Sequence, residues 1–247
     1  MNEPNRPGAG ITAGRIALGG GIEAYHARPD RPGATPGIVV FMEAFGLNAF
    51  IEGTCDRLAS HGYTALAPDV FHGERFEYSD RERAMAKVNA LVDEAAMADT
   101  QRAIEWLEAR GDVRGDRLAA IGFCMGGRLA FLANIVHGAK LRATVSFYGG
   151  GIAPVEPKGR RKPLLERVSD VAAPALLIYG AQDTSITGEE HGRLAKALTD
   201  ANKRYTLAVI PNAPHAFATV DRDSYRAAAA ETAWRMTLEF LGAELMR

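Results

Sequence analysis

The segment Gly122-Phe123-Cys124-Met125-Gly126-Gly127, entered from the apolar run Leu118-Ala119-Ala120-Ile121, constrains this chain more than any other stretch. It reads as a strand, a sharp turn and the first turn of a helix, with a nucleophilic side chain at the tip. Small residues two before and two after Cys124 let the backbone bend tightly and hold that side chain above the helix start. The spacing is G-x-S-x-G with Cys in place of Ser. A sulfur placed there also feels a helix N-terminus, which stabilises thiolate. A strand that runs straight into a helix belongs in a chain that alternates the two.

The rest of the sequence alternates in that way. Arg15–Leu18 and Ile22–Ala27 flank Gly19-Gly20-Gly21 as a hairpin, and Gly37–Met42, Tyr63–Ala67, Leu118–Ile121, Ala143–Phe147, Ala175–Tyr179 and Tyr205–Ile210 read as strands. Helical patterns cover Phe50–Gly62, residues 84–110, Met125–Val136, Gly188–Thr199 and a last segment carrying Ala227, Ala230, Trp234, Leu238 and Leu241. The stripe of 84–110 is Val88, Val92, Ala95, Ala96, Ala103, Ile104 and Leu107, and Asp99 lies on it as a paired, structural carboxylate. Continuous apolar runs such as Gly37–Met42 suit strands buried on both faces. The expectation is an α/β fold with a mostly parallel central sheet flanked by helices on both faces. Residues 1–10, polar and rich in Pro and Gly, are expected to be a flexible arm before a single domain over 11–247. The stretch 151–173 is the one long irregular connection, suited to a cap or rim loop.

Composition excludes several function classes. A net charge of -1 leaves no electrostatic footprint for nucleic acid or an anionic membrane. No apolar run approaches the roughly 18–20 residues that span a bilayer. Met1–Gly10 carries no apolar segment behind its charges, so no secretory signal is read there. The two cysteines, Cys55 and Cys124, can pair only by consuming the thiol of the turn, and the expectation is a cytoplasmic protein with both thiols free. His26, His61, His72, His137 and His191 show no metal spacing, and His-Glu-x-x-His and Cys-x-x-Cys are absent. No metal and no cofactor are expected.

In α/β sheets the reactive groups sit just past the carboxyl ends of the strands. Past Gly37–Met42 stands Glu43, past Leu118–Ile121 Cys124, past Ala175–Tyr179 Asp183, and past Tyr205–Ile210 His215. The order nucleophile, acid, base is the one this architecture uses. Cys124 would attack an acyl carbonyl as thiolate. His215 would carry the proton, and Asp183 would fix its tautomer. The backbone N–H groups of Met125 and Ala44 are the expected oxyanion donors.

With these residues in place, the sequence resembles the dienelactone hydrolase (carboxymethylenebutenolidase) family of the α/β-hydrolase fold, from about Gly37 to Leu241. The matching segments are Glu43-Ala44-Phe45-Gly46-Leu47-Asn48, Gly62-Tyr63-Thr64-Ala65-Leu66-Ala67-Pro68-Asp69, the Cys124 turn and His215-Ala216-Phe217-Ala218. The resemblance implies cofactor-free opening of a small lactone or ester through a thioester on Cys124. It also implies that Glu43 contacts the cysteine and takes its proton once substrate binds. Of the two arginines that hold the substrate carboxylate in such enzymes, Arg81 aligns with the first. The second, four residues past the histidine, is Thr219 here, with Arg222 nearby. That departure opens a broad esterase or thioesterase as an alternative, beside a hydrolase-fold binding or redox-sensing protein without turnover. The expected partner is a small-molecule substrate, and the expected state a monomer or small homo-oligomer.

Overall fold

The computed structural model describes residues 10–156 and 161–246, so most of the expected arm lies outside the described residues. β1 (Ile11–Gly19) and β2 (Ile22–Pro29) form the antiparallel hairpin, four residues longer at its start than the apolar pattern marks. β3 (Thr35–Phe41), β4 (Thr64–Pro68), β5 (Val113–Phe123), β6 (Leu141–Phe147), β7 (Ala175–Gly180) and β8 (Tyr205–Ile210) follow. All eight join one sheet in the order β1-β2-β4-β3-β5-β6-β7-β8. Strands from β3 to β8 run parallel to their neighbours, and β2 joins β4 antiparallel. Every residue of β3 is buried, as its unbroken apolar run demands of a central strand covered on both sides.

The helices are α1 (Ala49–Ser60), α2 (Arg81–Ala90), α3 (Asp93–Glu108), α4 (Met125–His137), α5 (Gly188–Asp200) and α6 (Ala227–Leu245). α1 begins at Asn48, whose side chain accepts the Ile51 N–H at 3.2 Å, an N-cap. α3 and α4 pack against each other over one face of the sheet. On the other face α1 and α6 meet where the Arg57 guanidinium lies 4.3 Å from the Trp234 ring centre. The sheet is thus covered on both sides.

One expectation needs correction. The helical stretch 84–110 is two helices, because Leu91 and Val92 take extended backbone angles between α2 and α3. Val92 is 56% exposed and Ala95 is exposed as well, so neither belongs to the apolar stripe. Ala96, Ala103, Ile104 and Leu107 carry the buried face of α3. Asp99 is buried and accepts a hydrogen bond from His72 Nε2 at 2.8 Å, a paired carboxylate as its place on the stripe required. The connection 151–173 contains a 3₁₀ turn at Leu165–Asp170.

Candidate active site

β5 delivers Cys124 with φ 55 and ψ -116, a backbone conformation that L-residues seldom adopt. The turn is pinned by the Cys124 N–H on Phe147 O at 3.0 Å and by the Gly127 N–H on Cys124 O at 3.0 Å. Its glycines are required by packing. A Cβ at Gly122 would lie 1.9 Å from Gly126 O, and one at Gly126 would lie 2.3 Å from Phe41 O. The first turn of α4 therefore presses directly on β5 and β3, which leaves the Cys124 side chain raised and partly exposed.

The turns after β7 and β8 bring the next two groups to it. The Gln182 N–H bonds Ala213 O at 2.9 Å, tying the Asp183 turn to the His215 turn. His215 Nδ1 lies 2.7 Å from Asp183 Oδ2, and His215 Nε2 lies 3.2 Å from Cys124 Sγ. The other Asp183 oxygen accepts the N–H groups of Ser185 at 2.8 Å and Ile186 at 3.1 Å. Burial would raise the Asp183 carboxyl, but the hydrogen bond and charge of His215, together with those two N–H groups, outweigh it and hold it below the ordinary value. Burial likewise disfavours the His215 imidazolium. The charge of Cys124 and the hydrogen bonds to Asp183 and Cys124 outweigh that penalty and push His215 up to about 10. The three side chains form one hydrogen-bonded line from sulfur to carboxylate.

Glu43, fully buried past β3, sits in a second polar group beside that line. Its Oε1 accepts the Thr219 hydroxyl at 2.9 Å, and its Oε2 lies 3.5 Å from the Tyr78 hydroxyl. Arg222 Nη1 stands 3.8 Å from Oε1, with its guanidinium over the Phe45 and Tyr78 rings. The Tyr148 hydroxyl is 3.4 Å from that of Thr219, and its ring meets the His215 ring edge-on at 5.2 Å. Burial pushes the Glu43 carboxyl up against the pulls of Arg222, Thr219, His215 and Tyr78. Among the described residues the hydrogen bond of Cys124 Sγ goes to His215 and none joins it to Glu43.

The remaining sequence candidates fall as follows. Met125 is the first residue of α4, so its N–H has no acceptor within the helix. The Ala44 N–H, next to Glu43, has no hydrogen-bond partner among the described residues. Arg81 opens α2 as an exposed residue, and no hydrogen bond or ion pair links it to Glu43 or Cys124. Tyr78 and Tyr148 escape sequence reasoning, since an isolated tyrosine in a loop carries no spacing. Thr219 registers in the sequence only as the absence of an arginine. Among the described residues no group of three or more His, Cys, Asp or Glu side chains is arranged to hold a metal ion. No helix there is long and apolar enough to cross a membrane.

Comparison with known proteins gives the family of the chain. Residues 22–245 match the model of the dienelactone hydrolase family. A protein of Escherichia coli strain K12 named "Putative carboxymethylenebutenolidase" is 35% identical over 242 residues, covering 95% of this chain and 88% of that protein. A Bradyrhizobium protein named "Probable 2-oxo-3-(5-oxofuran-2-ylidene)propanoate lactonase" is 34% identical over 221 residues, 88% of each chain. Among solved structures, that of "Putative Dienelactone Hydrolase" from Klebsiella pneumoniae superposes with a TM-score of 0.87 at 33% identity, covering 94% of this chain and 98% of that one. The chain belongs to the dienelactone hydrolase family, carboxylic ester hydrolases built on the α/β-hydrolase fold.

Proposed function

We propose that this protein opens small lactones and esters through a thioester on Cys124, with His215 and Asp183 completing a catalytic triad. The observation that carries the reading is the unbroken line from Cys124 Sγ to His215 Nε2 at 3.2 Å and from His215 Nδ1 to Asp183 Oδ2 at 2.7 Å, at the tip of a strained turn. The thiolate attacks the carbonyl carbon, and the oxygen that becomes negative is received by the N–H groups of Met125 and Ala44. The tetrahedral species collapses, the C–O bond to the leaving oxygen breaks, and His215 returns the proton to that oxygen. An enol leaving group stays tethered in a lactone and tautomerises to the keto acid. Water, deprotonated by His215, then cleaves the thioester and frees the carboxylic acid and the thiol. Every step uses these side chains and water.

Glu43 supplies a base beside this line. Its raised carboxyl lies closer to a thiol than an ordinary carboxylate does, so proton exchange between them costs less. Arg222 and Thr219 pull Glu43 toward its ionised form against its burial, a task for which an arginine is not needed at position 219. The relatives' names, a carboxymethylenebutenolidase and a furan-ylidene propanoate lactonase, support lactones as the substrate class.

The test is turnover of a carboxylate-bearing dienelactone and of its neutral methyl ester by wild type and Cys124→Ala. The substitution is expected to lower kcat roughly 10⁴-fold or more, the scale on which triad nucleophiles act. Stoichiometric modification of Cys124 with no turnover of either compound would replace the hydrolytic reading by a sensing or binding one. A neutral ester that reacts as fast as the acid identifies a broad esterase with the same machinery.

A further inference from the structure

A cavity of about 190 Å³ opens beside the triad, between the turns that leave β6 and β7. Its lining includes Arg128, Arg161, Gly151 and Ser185. It shares walls with the site: the Arg128 N–H bonds Cys124 O at 3.3 Å, and the Ser185 N–H bonds Asp183 Oδ1 at 2.8 Å. Near that cavity stand two guanidinium groups and one half-buried carboxylate, Asp93. Arg128, 1% exposed, donates from Nη1 and Nη2 to the two oxygens of Asp93 at 2.7 Å each, while Nη2 also bonds Lys162 O at 2.9 Å and Nε bonds Gly151 O at 3.3 Å. Asp93 is thus committed to Arg128. Arg161 Nη1 is cut off from solvent and has no hydrogen-bond partner among the described residues.

A guanidinium nitrogen without water or partner is costly, because the full desolvation penalty stays uncompensated. Burial and the like charge of Arg128 already hold Arg161 below the ordinary arginine value, against the pull of Asp93 and Cys124. Arginine does not deprotonate in proteins, so an anion is the group that would offset the imbalance. The two acids on the same cavity do not fill that place in the described geometry. Glu156 is exposed and Glu190 is half-buried, and neither supplies a hydrogen bond to Nη1. Arg161 shares this cavity with Arg128, whose backbone N–H bonds the carbonyl of Cys124. A carboxylate fits this donor better than a neutral carbonyl, since guanidinium–carboxylate bonds are charge-assisted and of matched shape.

We propose that Arg161 anchors a carboxylate carried on the acyl side of the substrate, drawn into this cavity while the scissile carbonyl lies at Cys124. The assignment rests on the hydrolytic reading above and moves the carboxylate from Arg81, at the start of α2, to Arg161, in a cavity that Met85 and Asn89 of the same helix also line. Mono-p-nitrophenyl esters of succinic, glutaric and adipic acid, each beside its neutral methyl ester, test it in wild type, Arg161→Gln, Arg161→Lys and Arg81→Gln. The ratio of kcat/KM for acid over neutral ester is expected to fall at least tenfold in Arg161→Gln, mainly through KM, and to recover in part in Arg161→Lys. Calorimetric binding of free glutarate to Cys124→Ala, with and without Arg161→Gln, should show affinity at least tenfold weaker in the double variant. A ratio and an affinity that stay within twofold of the parent in Arg161→Gln overturn the proposal, as does a collapse confined to Arg81→Gln. If wild type hydrolyses neither ester, the hydrolytic reading fails, and glutarate binding alone decides whether Arg161 holds a carboxylate.

Discussion

A carboxylate with no solvent of its own takes its charge state from its neighbours, and Glu43 has neighbours that disagree. Burial pushes its proton affinity up, while Arg222, Thr219, His215 and Tyr78 pull it down. Arg222→Gln removes the leading opposition, so the carboxyl moves further up. In the proposed mechanism Glu43 works as an anion, so the acid limb of kcat/KM should shift to higher pH in Arg222→Gln and return toward wild type in Arg222→Lys. Profiles that coincide for all three proteins would free Glu43 from Arg222. At this scale the sequence disclosed what stands at strand ends: Glu43, Cys124, Asp183 and His215 each follow an apolar run, and order alone relates them. It did not disclose Tyr148, which reaches the site only because the chain leaves β6 with that residue at φ 39. Nor did it reveal that Arg161 Nη1 has no hydrogen-bond partner among the described residues, since such a deficit is a property of the packed molecule.

The element that carries the chemistry is the turn between β5 and α4, and its glycines bear unequal loads. Gly122→Ala sets a methyl 1.9 Å from Gly126 O, a backbone atom that cannot retreat without unseating α4. Its cost belongs to the exceptional class above about 4 kcal/mol, read as loss of soluble protein or a collapsed denaturation midpoint. Gly192→Ala, on the exposed side of α5 where a Cβ meets nothing within 4 Å, should instead stabilise by about 0.5–1 kcal/mol in urea unfolding. Elements with a strong period were legible: β3 through its unbroken apolar run, α4 through the motif that opens it. The junction of α2 and α3 was not. No Pro or Gly marks Leu91–Val92, and Val92 falls on the helical period although it is exposed, so nothing local in the sequence announces the break.

Across the whole molecule the parallel strands β3, β5, β7 and β8 send their carboxyl ends to one rim, and for this reason four loops far apart in sequence meet around one sulfur. The opposite end of the sheet order holds a titrating liability. His26 in β2 is buried edge-on against Trp106 with Nε2 unpartnered among the described residues, and burial, with Arg110 and Arg28, depresses it to about 4. The unfolded chain takes up that proton near pH 6.5 and the native chain only near 4, so the stability this residue preserves above 6.5 is lost as pH falls through 4. The urea midpoint of His26→Leu should therefore drop less than that of wild type between those two pH values. Equal drops would assign the acid sensitivity elsewhere. The two cysteines divide the molecule differently. Cys55 is sealed in the core with its thiol pushed well above the ordinary value by burial and by Asp56 and Glu52, whereas Cys124 stands at the rim. A folded chain should thus consume one equivalent of a chromogenic disulfide reagent and an unfolded chain two. Colour yield then becomes a census: the fraction of molecules with an intact, unoxidised working sulfur can be counted in any preparation before a substrate is ever added.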